Sequence, residues 1–254
     1  MKRILFCFLI FVSFLALQAQ EKTKVENPAI IMFSPSFAFQ YPMGDNTALY
    51  GVHSKADMHV SYKTKSNWTI GLGGGFGFGA QPKDFTLLGD MVSNGFVIGK
   101  NASIEQPSLE GRIGTFNVEI GKIIPIFPKS KISGLHVKAG IGYLSQKTIT
   151  TIDGNIVPQL NDNYAGLYNQ SMAGLSLSQF VGYTYFSRDK LINFTFGFEH
   201  TFAFVKSMNT WDVKTNTSIA DKKATYRYFG PKFTFTIPLY LKDKKYFEKT
   251  YFYN

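Results

Sequence analysis

Three groups of residues in this chain are of types that could carry out chemistry. The first is the run Gly71-Leu72-Gly73-Gly74-Gly75-Phe76-Gly77, whose glycine spacing is close to that of a dinucleotide-binding fingerprint. The second is His59, Ser61 and His136, from which the nucleophile and base of a hydrolase could be built. The fingerprint requires a turn between a strand and a helix, whereas residues 71–77 lie inside a strand-like alternating pattern. A hydrolase also requires an orienting acid, and no local pattern supplies the complete set.

A third group is acidic. Asp153 and Asp162 lie in a segment that could ligate a cation, but a loop rich in Asp and Asn is more typical of turns. We therefore expect no catalytic residue, no metal ion and no cofactor. A lipid-modifying enzyme that uses His59 or His136 stays an alternative.

The composition limits the fold classes that have to be considered. Of 254 residues, 44% are apolar and 17% are charged, which argues against a disordered chain. The single cysteine excludes a disulfide framework. Aromatic residues make up 16%, with 25 Phe and 14 Tyr, beside 23 Gly. This composition favours a secreted β-sandwich or a membrane β-barrel.

The N-terminus resembles a secretory signal peptide over residues 1–19. Lys2 and Arg3 precede an apolar run over residues 4–17, and Ala19 offers a small residue for cleavage. Cleavage there removes two basic residues and Cys7. Residues 20–28 would then be a short N-terminal periplasmic segment, and the mature protein would leave the cytoplasm.

Alternation of apolar and small or polar residues predicts strands along the rest of the chain. The eight predicted strands are 33–41, 56–63, 68–79, 115–121, 135–143, 175–186, 192–204 and 229–239. Gln179 and Phe180 interrupt the phase of the sixth strand, which predicts a β-bulge there. Short connections alternate with long ones, of which 80–114 and 148–174 are the longest. This pattern predicts an all-β fold, a single eight-stranded antiparallel transmembrane barrel over residues 29–241 with short periplasmic turns and long external loops.

One face of these strands carries Phe, Leu, Ile, Val, Tyr and Trp, and the other carries Gly, Ser and Thr with isolated charges. Rows of glycine suit the crowded inside of a narrow barrel better than a water-facing surface, and eight strands enclose a lumen that side chains can fill. We expect Glu119 to pair with Lys138, and Glu199 with Lys232, because unpaired buried charges are costly. The predicted lumenal polar network is Asp57, His59, Lys63, Glu119, His136, Lys138, Glu199 and Lys232. A narrow channel through the lumen is an alternative.

The excess positive charge falls on one side of the predicted barrel. Together with Lys63, the short turns and the tail over residues 242–254 hold eleven basic residues against three acidic ones. This predicted periplasmic basic rim contains Lys65, Lys122, Lys129, Lys131, Arg188, Lys190, Lys242, Lys244, Lys245 and Lys249. Attraction to anionic lipid head groups or docking to an acidic periplasmic partner would explain it. Nucleic acid is not expected as a partner of an exported barrel.

Four segments of the sequence carry a resemblance to a known family. They are Tyr62-Lys63-Thr64-Lys65-Ser66-Asn67-Trp68, Val157-Pro158-Gln159-Leu160, Gln179-Phe180-Val181-Gly182-Tyr183 and Leu191-Ile192-Asn193-Phe194. With the signal-like end Ala19-Gln20, the chain resembles small, porin-like outer-membrane β-barrel proteins of the Bacteroidetes lineage. The resemblance implies an outer-membrane location and provides no catalytic residues. The lineage also has barrel subunits in its type IX secretion and gliding machinery.

The sequence thus predicts a structural or scaffold protein of the cell envelope with a filled lumen. Its expected partners are outer-membrane lipid and possible envelope proteins, which would bind at the basic rim or the long loops. The first alternative is a subunit of an envelope secretion or assembly complex. The narrow channel and the lipid-modifying enzyme are the others.

Overall fold

A computed structural model describes residues 27–44, 46–80, 82–83, 88, 91–127, 131–151, 157–158, 169–187, 193–212, 217–220 and 222–241. The predicted signal peptide and the tail over residues 242–254 lie outside the described residues. So do Asp153 and Asp162.

Eight long β-strands make up most of the described chain. The eighth strand is divided into two segments at Thr236, whose N–H still donates to the Asn193 carbonyl of the seventh strand (2.8 Å). The strands are β1 (Ala29–Met43), β2 (His53–Lys63), β3 (Trp68–Ala80), β4 (Ser108–Ile124), β5 (Gly134–Thr151), β6 (Gln170–Phe186), β7 (Asn193–Ser207) and β8 (Lys223–Phe235 and Ile237–Leu241).

Each strand pairs antiparallel with the next, and the last pairs with the first. Phe37 of β1 lies opposite Phe233 of β8, and Ile31 lies opposite Leu239. This pairing closes the sheet and leaves no free strand edge. The chain is a closed eight-stranded antiparallel β-barrel, and the predicted fold class is confirmed.

The connections define two ends of the barrel. The short-turn end carries the turns 64–67, 125–133 and 187–192, together with the start of β1 and the end of β8. The long-loop end carries the segments 44–52, 81–107, 152–169 and 208–222. Most strands extend beyond their alternating patterns, so segment 44–52 is no longer than the turn 125–133. Side-chain alternation therefore locates a strand better than it locates the strand ends.

The β-bulge that we predicted at Gln179 and Phe180 is wrong. The register of β6 with both neighbouring strands is continuous through these residues. Gln179 faces outward, and Phe180 faces the lumen and is buried. Gly182 and Gly197 leave room for this large ring, because a Cβ atom at either would lie within 3 Å of it. The irregularity that does occur lies in β3, between Gly77 and Ala80.

The long-loop end contains small elements of its own. Leu88, Val97 and Val157 form a small buried cluster there. Among the described residues, no helix is long and apolar enough to cross a membrane. The short elements are an α-helix (Asn46–Leu49), a 3-10 helix (Lys100–Ala102), and strands Val92–Ser93, Phe96–Ile98, Ile104–Glu105, Trp211–Asp212 and Thr217–Ser218.

Burial on the barrel wall is the reverse of burial in a water-soluble protein. The outward face of β3 presents Trp68, Ile70, Leu72, Phe76 and Phe78, all substantially exposed. The inward faces of the wall carry mostly Ser, Thr, Gly, His and charged side chains, and most of these are buried. Soluble proteins rarely expose a continuous apolar surface of this extent. We call the exposed outward-facing apolar side chains of the eight strands the outer belt.

Candidate functional site

The centre of the lumen holds a network of buried charged side chains. Lys232 is 1% exposed, and its Nζ atom lies 2.5 Å from Glu199 Oε2 and 2.9 Å from Asp57 Oδ2. Lys55 Nζ lies 2.6 Å from Glu199 Oε1 and 3.3 Å from Asp57 Oδ2. Two lysines and two carboxylates from β2, β7 and β8 thus form a closed four-membered ion cluster. Gln40 of β1 completes it by donating from Nε2 to Glu199 Oε1 at 2.7 Å.

A second ion pair extends the network toward the short-turn end. Lys138 Nζ donates to Glu119 Oε2 at 2.7 Å, and the Asn117 amide donates to the other carboxylate oxygen. His59 connects the two parts. Its Nδ1 atom is 3.7 Å from Glu119 Oε2, and its Nε2 atom is 3.3 Å from Lys232 Nζ. The structure therefore brings Asp57, His59, Glu119, Lys138, Glu199 and Lys232 together.

The charges of this network balance within each local part of the fold. Strand β2 contributes Lys55 and Asp57, which contact each other. The β4–β5 hairpin contributes Glu119 and Lys138, and the β7–β8 hairpin contributes Glu199 and Lys232. With the histidines neutral, three lysines offset three carboxylates. The mid-lumen charge network is defined here as these six residues with His59.

His136 and Lys63 belong to the short-turn half of the lumen and not to the charge network. His136 hydrogen-bonds through its two ring nitrogens to the hydroxyls of Thr69 (3.2 Å) and Thr184 (3.0 Å). Lys63 Nζ donates to Asn27 Oδ1 (2.7 Å) and to the Pro28 and Thr64 carbonyls (3.3 Å each). It is completely buried. Its role is to fasten the start of β1 to the β2–β3 turn.

Lys55 of the mid-lumen charge network and Gln40, whose amide donates to that network, were missed in the sequence. Lys55 lies one position before the alternating pattern of β2 begins at Ala56, although the series Lys55, Asp57, His59 continues the polar face. Gln40 lies near the end of the weakly patterned β1. Extending the polar face of β2 by one alternate position would have included Lys55, whereas Gln40 already lay on the inward face of the predicted strand 33–41.

The glycines on the inward face of β3 create the space for this network. A Cβ atom at Gly75 would overlap Asp57 Oδ1, and one at Gly73 would overlap the His59 ring. Both side chains come from β2, where Asp57 pairs with Gly75 and His59 pairs with Gly73. Glycine is required here because each neighbouring side chain lies flat across the β3 backbone.

We expect Gly75→Ala to lower the free energy of unfolding by about 2 kcal/mol or more, which is typical of overpacking a filled interior. The new methyl group would displace the Asp57 carboxylate from Lys55 and Lys232. Gly74→Ala is the matched control, because Gly74 faces outward and its Cβ would meet only Thr115 O at 3.3 Å and Phe116 Cδ2 at 4.0 Å. Urea titration of the refolded barrel measures both values, and equal losses would contradict this role of Gly75.

An apolar side-chain cluster lies at each end of the lumen among the described residues. At the short-turn end Ile30, Met32, Ile123 and Phe186 form an apolar cluster, called the lower plug below. At the long-loop end a second cluster, the upper plug, closes the barrel around Tyr50 and Tyr228, and it includes Ile113, Leu144, Met172, Ala203, Val205 and Tyr226. The Tyr228 hydroxyl donates to Gln146, and the Tyr50 and Thr148 hydroxyls are 3.1 Å apart.

A small cavity with both polar and apolar lining lies between the mid-lumen charge network and the lower plug. Its volume is about 40 Å³, which has room for roughly three water molecules. Its lining includes His59, Ser61, Thr69, Glu119, His136 and Lys138. Among the described residues, no group of three or more His, Cys, Asp or Glu side chains is placed to hold a metal ion.

Part of the predicted basic rim can be located. Lys65 and Lys131 lie in short turns, and Lys122 lies near the end of β4, so all three are at the short-turn end. The Lys122 ammonium is 4.9 Å from the centre of the Trp68 ring. The other seven, Lys129, Arg188, Lys190, Lys242, Lys244, Lys245 and Lys249, lie outside the described residues.

Comparison with known proteins provides only distant matches. No protein-family model and no curated protein matches the chain. Among solved structures, Ail, the attachment invasion locus protein of Yersinia pestis, is similar at 9% identity and a TM-score of 0.42, over 83% of this chain and 98% of Ail. Ail in complex with the heparin analogue sucrose octasulfate has 12% identity and a TM-score of 0.39, with the same coverage. The outer membrane protein OprG from Pseudomonas aeruginosa has 10% identity and a TM-score of 0.35, over 85% of this chain and 96% of OprG. These likenesses are too weak to argue for a function, and the barrel assignment rests on the strand pairing.

Proposed function

We propose that this protein is an outer-membrane β-barrel with a side-chain-filled lumen and a structural or scaffold role in the cell envelope. The observation that carries the proposal is the outer belt around a polar, buried lumen. Water would be a poor solvent for such a surface, whereas the hydrocarbon core of a membrane matches it.

The dimensions of the outer belt support a membrane location. On β3 it runs from Trp68 to Phe78, which corresponds to about 25 Å along the barrel axis for a strand tilted by roughly 40°. Charged residues mark its two limits. Arg112 and Glu110 are exposed on β4 toward the long-loop end, and Lys122 lies beside Trp68 at the short-turn end. Transmembrane barrels have an apolar band of this height with aromatic residues at both interfaces.

The filled lumen favours a structural role over transport. The upper plug, the mid-lumen charge network and the lower plug follow one another along the axis, and the cavity between the network and the lower plug has room for roughly three water molecules. Both His59 and His136 are buried inside the wall, away from the outward face that would contact lipid. This placement disfavours the lipid-modifying enzyme.

One observation favours the alternative of a subunit in an envelope complex. The small sheet at the long-loop end exposes Phe96, Ile98 and Ile104, and Ile98 is 72% exposed. A protein partner could cover such a surface. Pull-down of a tagged copy in mild detergent tests this alternative, with the double variant Ile98→Ser/Ile104→Ser as its control.

Membrane fractionation is the direct test of the proposed function. We expect the protein in the outer-membrane fraction, resistant to extraction at high pH, and changed in gel mobility only after heating. Recovery as a water-soluble protein would overturn the proposal.

We also expect no discrete conductance when the wild-type barrel is reconstituted in planar bilayers, because the two plugs and the mid-lumen charge network fill the lumen. An open porin reconstituted in the same way is the positive control. Regular unitary steps that change in size in a Lys232→Ala variant would support the narrow-channel alternative instead.

A further inference from the structure

The turn between β4 and β5 has an unusual composition for its position. Hairpin turns in water are normally built from Gly, Asn, Asp, Ser and Pro. This turn begins with Pro125, Ile126 and Phe127, and the side chains of Ile126 and Phe127 are 55% and 59% exposed. Two large apolar residues therefore lie outside the packed interior at the short-turn end.

These side chains do not help to close the lumen. The lower plug is formed by Ile30, Met32, Ile123 and Phe186, with Ile132 and Tyr240 packed against it. Phe127 instead turns toward the outer wall, where its ring centre is 6.3 Å from that of Tyr183 in an edge-on contact. Tyr183 lies two strands away on β6, so the Phe127 ring lies over the outward side of β5.

The level of this contact follows from the strand register. Ile124, the last residue of β4, pairs with Leu135, and Leu135 pairs with Tyr183. Phe127 thus lies level with the last residue pairs of these strands at the short-turn end, where the outer belt ends. At the same end, Lys122 lies over the exposed Trp68 ring. Aromatic rings beside lysines are typical of the interface between hydrocarbon and head groups.

We propose that Ile126 and Phe127 form an interfacial anchor that inserts into the phospholipid leaflet at the short-turn end. This inference rests on the proposed membrane location and adds to it a lipid contact made by a turn. The occupant is a lipid leaflet, because the anchor continues the outer belt and the neighbouring Lys122 is complementary to lipid phosphates. The anchor fixes the depth of this end of the barrel in the bilayer.

Quenching by brominated lipids tests the anchor. Cys7 is the only cysteine, so the full chain with Cys7→Ser accepts single cysteines for an environment-sensitive fluorophore. The label is placed at Ile126→Cys, at Leu72→Cys in the middle of the outer belt, and at Ile98→Cys on the long-loop sheet. Each protein is reconstituted in phosphatidylcholine vesicles brominated either near the carbonyls or deep in the acyl chains.

We expect the label at position 126 to be quenched most by the shallow bromines, the label at 72 by the deep ones, and the label at 98 by neither. Adding Phe127→Ser to the 126-labelled protein should reduce its quenching toward the value at 98. If the label at position 126 is as weakly quenched as the label at 98 while the label at 72 is quenched, the anchor proposal is wrong and the membrane location of the barrel is retained. If 72 is also unquenched in folded protein, the membrane location itself fails.

Discussion

Replacing Lys232 with Met lowers the free energy of unfolding by about 3–5 kcal/mol, the range seen when one partner of a buried ion pair is removed. Lys232 is the shared partner of Glu199 and Asp57 at 2.5 and 2.9 Å. The variant leaves two buried carboxylates, for which Lys55 is the close cation that remains among the described residues. The unfolding midpoint in urea, followed by the gel mobility of unheated samples, measures the loss.

Arg112→Met is the matched control for this change. Arg112 also pairs with a carboxylate, Glu110, at 3.2 Å, but both side chains are about half exposed. Exposed ion pairs contribute about 0–1 kcal/mol, so we expect little change. A double variant, Lys232→Met with Glu199→Gln, should recover part of the stability because it also removes one of the two carboxylates that lost their partner. Similar losses of unfolding free energy for Lys232→Met and Arg112→Met would show that the mid-lumen charge network contributes no more to stability than an exposed ion pair.

The second large effect is expected on the outward face. Leu72 lies near the middle of the outer belt and is 54% exposed. Leu72→Arg should destabilise the barrel in a bilayer by about 2–4 kcal/mol, the cost of a cation at the membrane midplane. Unfolding in lipid vesicles by guanidinium measures this cost.

Ile98→Arg provides the comparison on an equally apolar and more exposed residue. Ile98 lies on the long-loop sheet beyond the barrel wall. The arginine there would lie in water, so the stability should change by less than about 0.5 kcal/mol. A water-soluble barrel would tolerate both substitutions alike, and that result would argue against the membrane location.

The period-two alternation was sufficient to predict the barrel and the inward position of most of the polar residues. This was possible because each inward face is polar and each outward face is apolar, so a strand of known phase assigns both faces at once. Glu119 and Lys138 could be paired in the sequence because they lie at similar distances from the turn that joins their strands.

Contacts made by closure of the barrel could not be predicted in the same way. Gln40 donates to Glu199 across 159 positions, and Lys55 contacts Glu199 across 144. These contacts depend on β1 meeting β8 and on how each side chain crosses the lumen. Phe180 was misread because an inward aromatic ring breaks a polar pattern, and its space comes from Gly182 on its own strand and Gly197 on the neighbouring strand. The exposed turn at Ile126 and Phe127 has no alternating pattern to interpret.

The local balance of charge in the mid-lumen network has a consequence for assembly. Strand β2 and the β4–β5 and β7–β8 hairpins each contain one lysine and one carboxylate of the network. A partly assembled sheet can therefore neutralise each acid with a base from the same unit before the wall is complete. When the barrel closes, lysines and carboxylates that were paired within one unit form additional pairs with those of neighbouring units. Closure therefore does not have to bring unpaired charges together. On the proposed membrane location, insertion hairpin by hairpin brings no unbalanced charge of the mid-lumen charge network into the lipid.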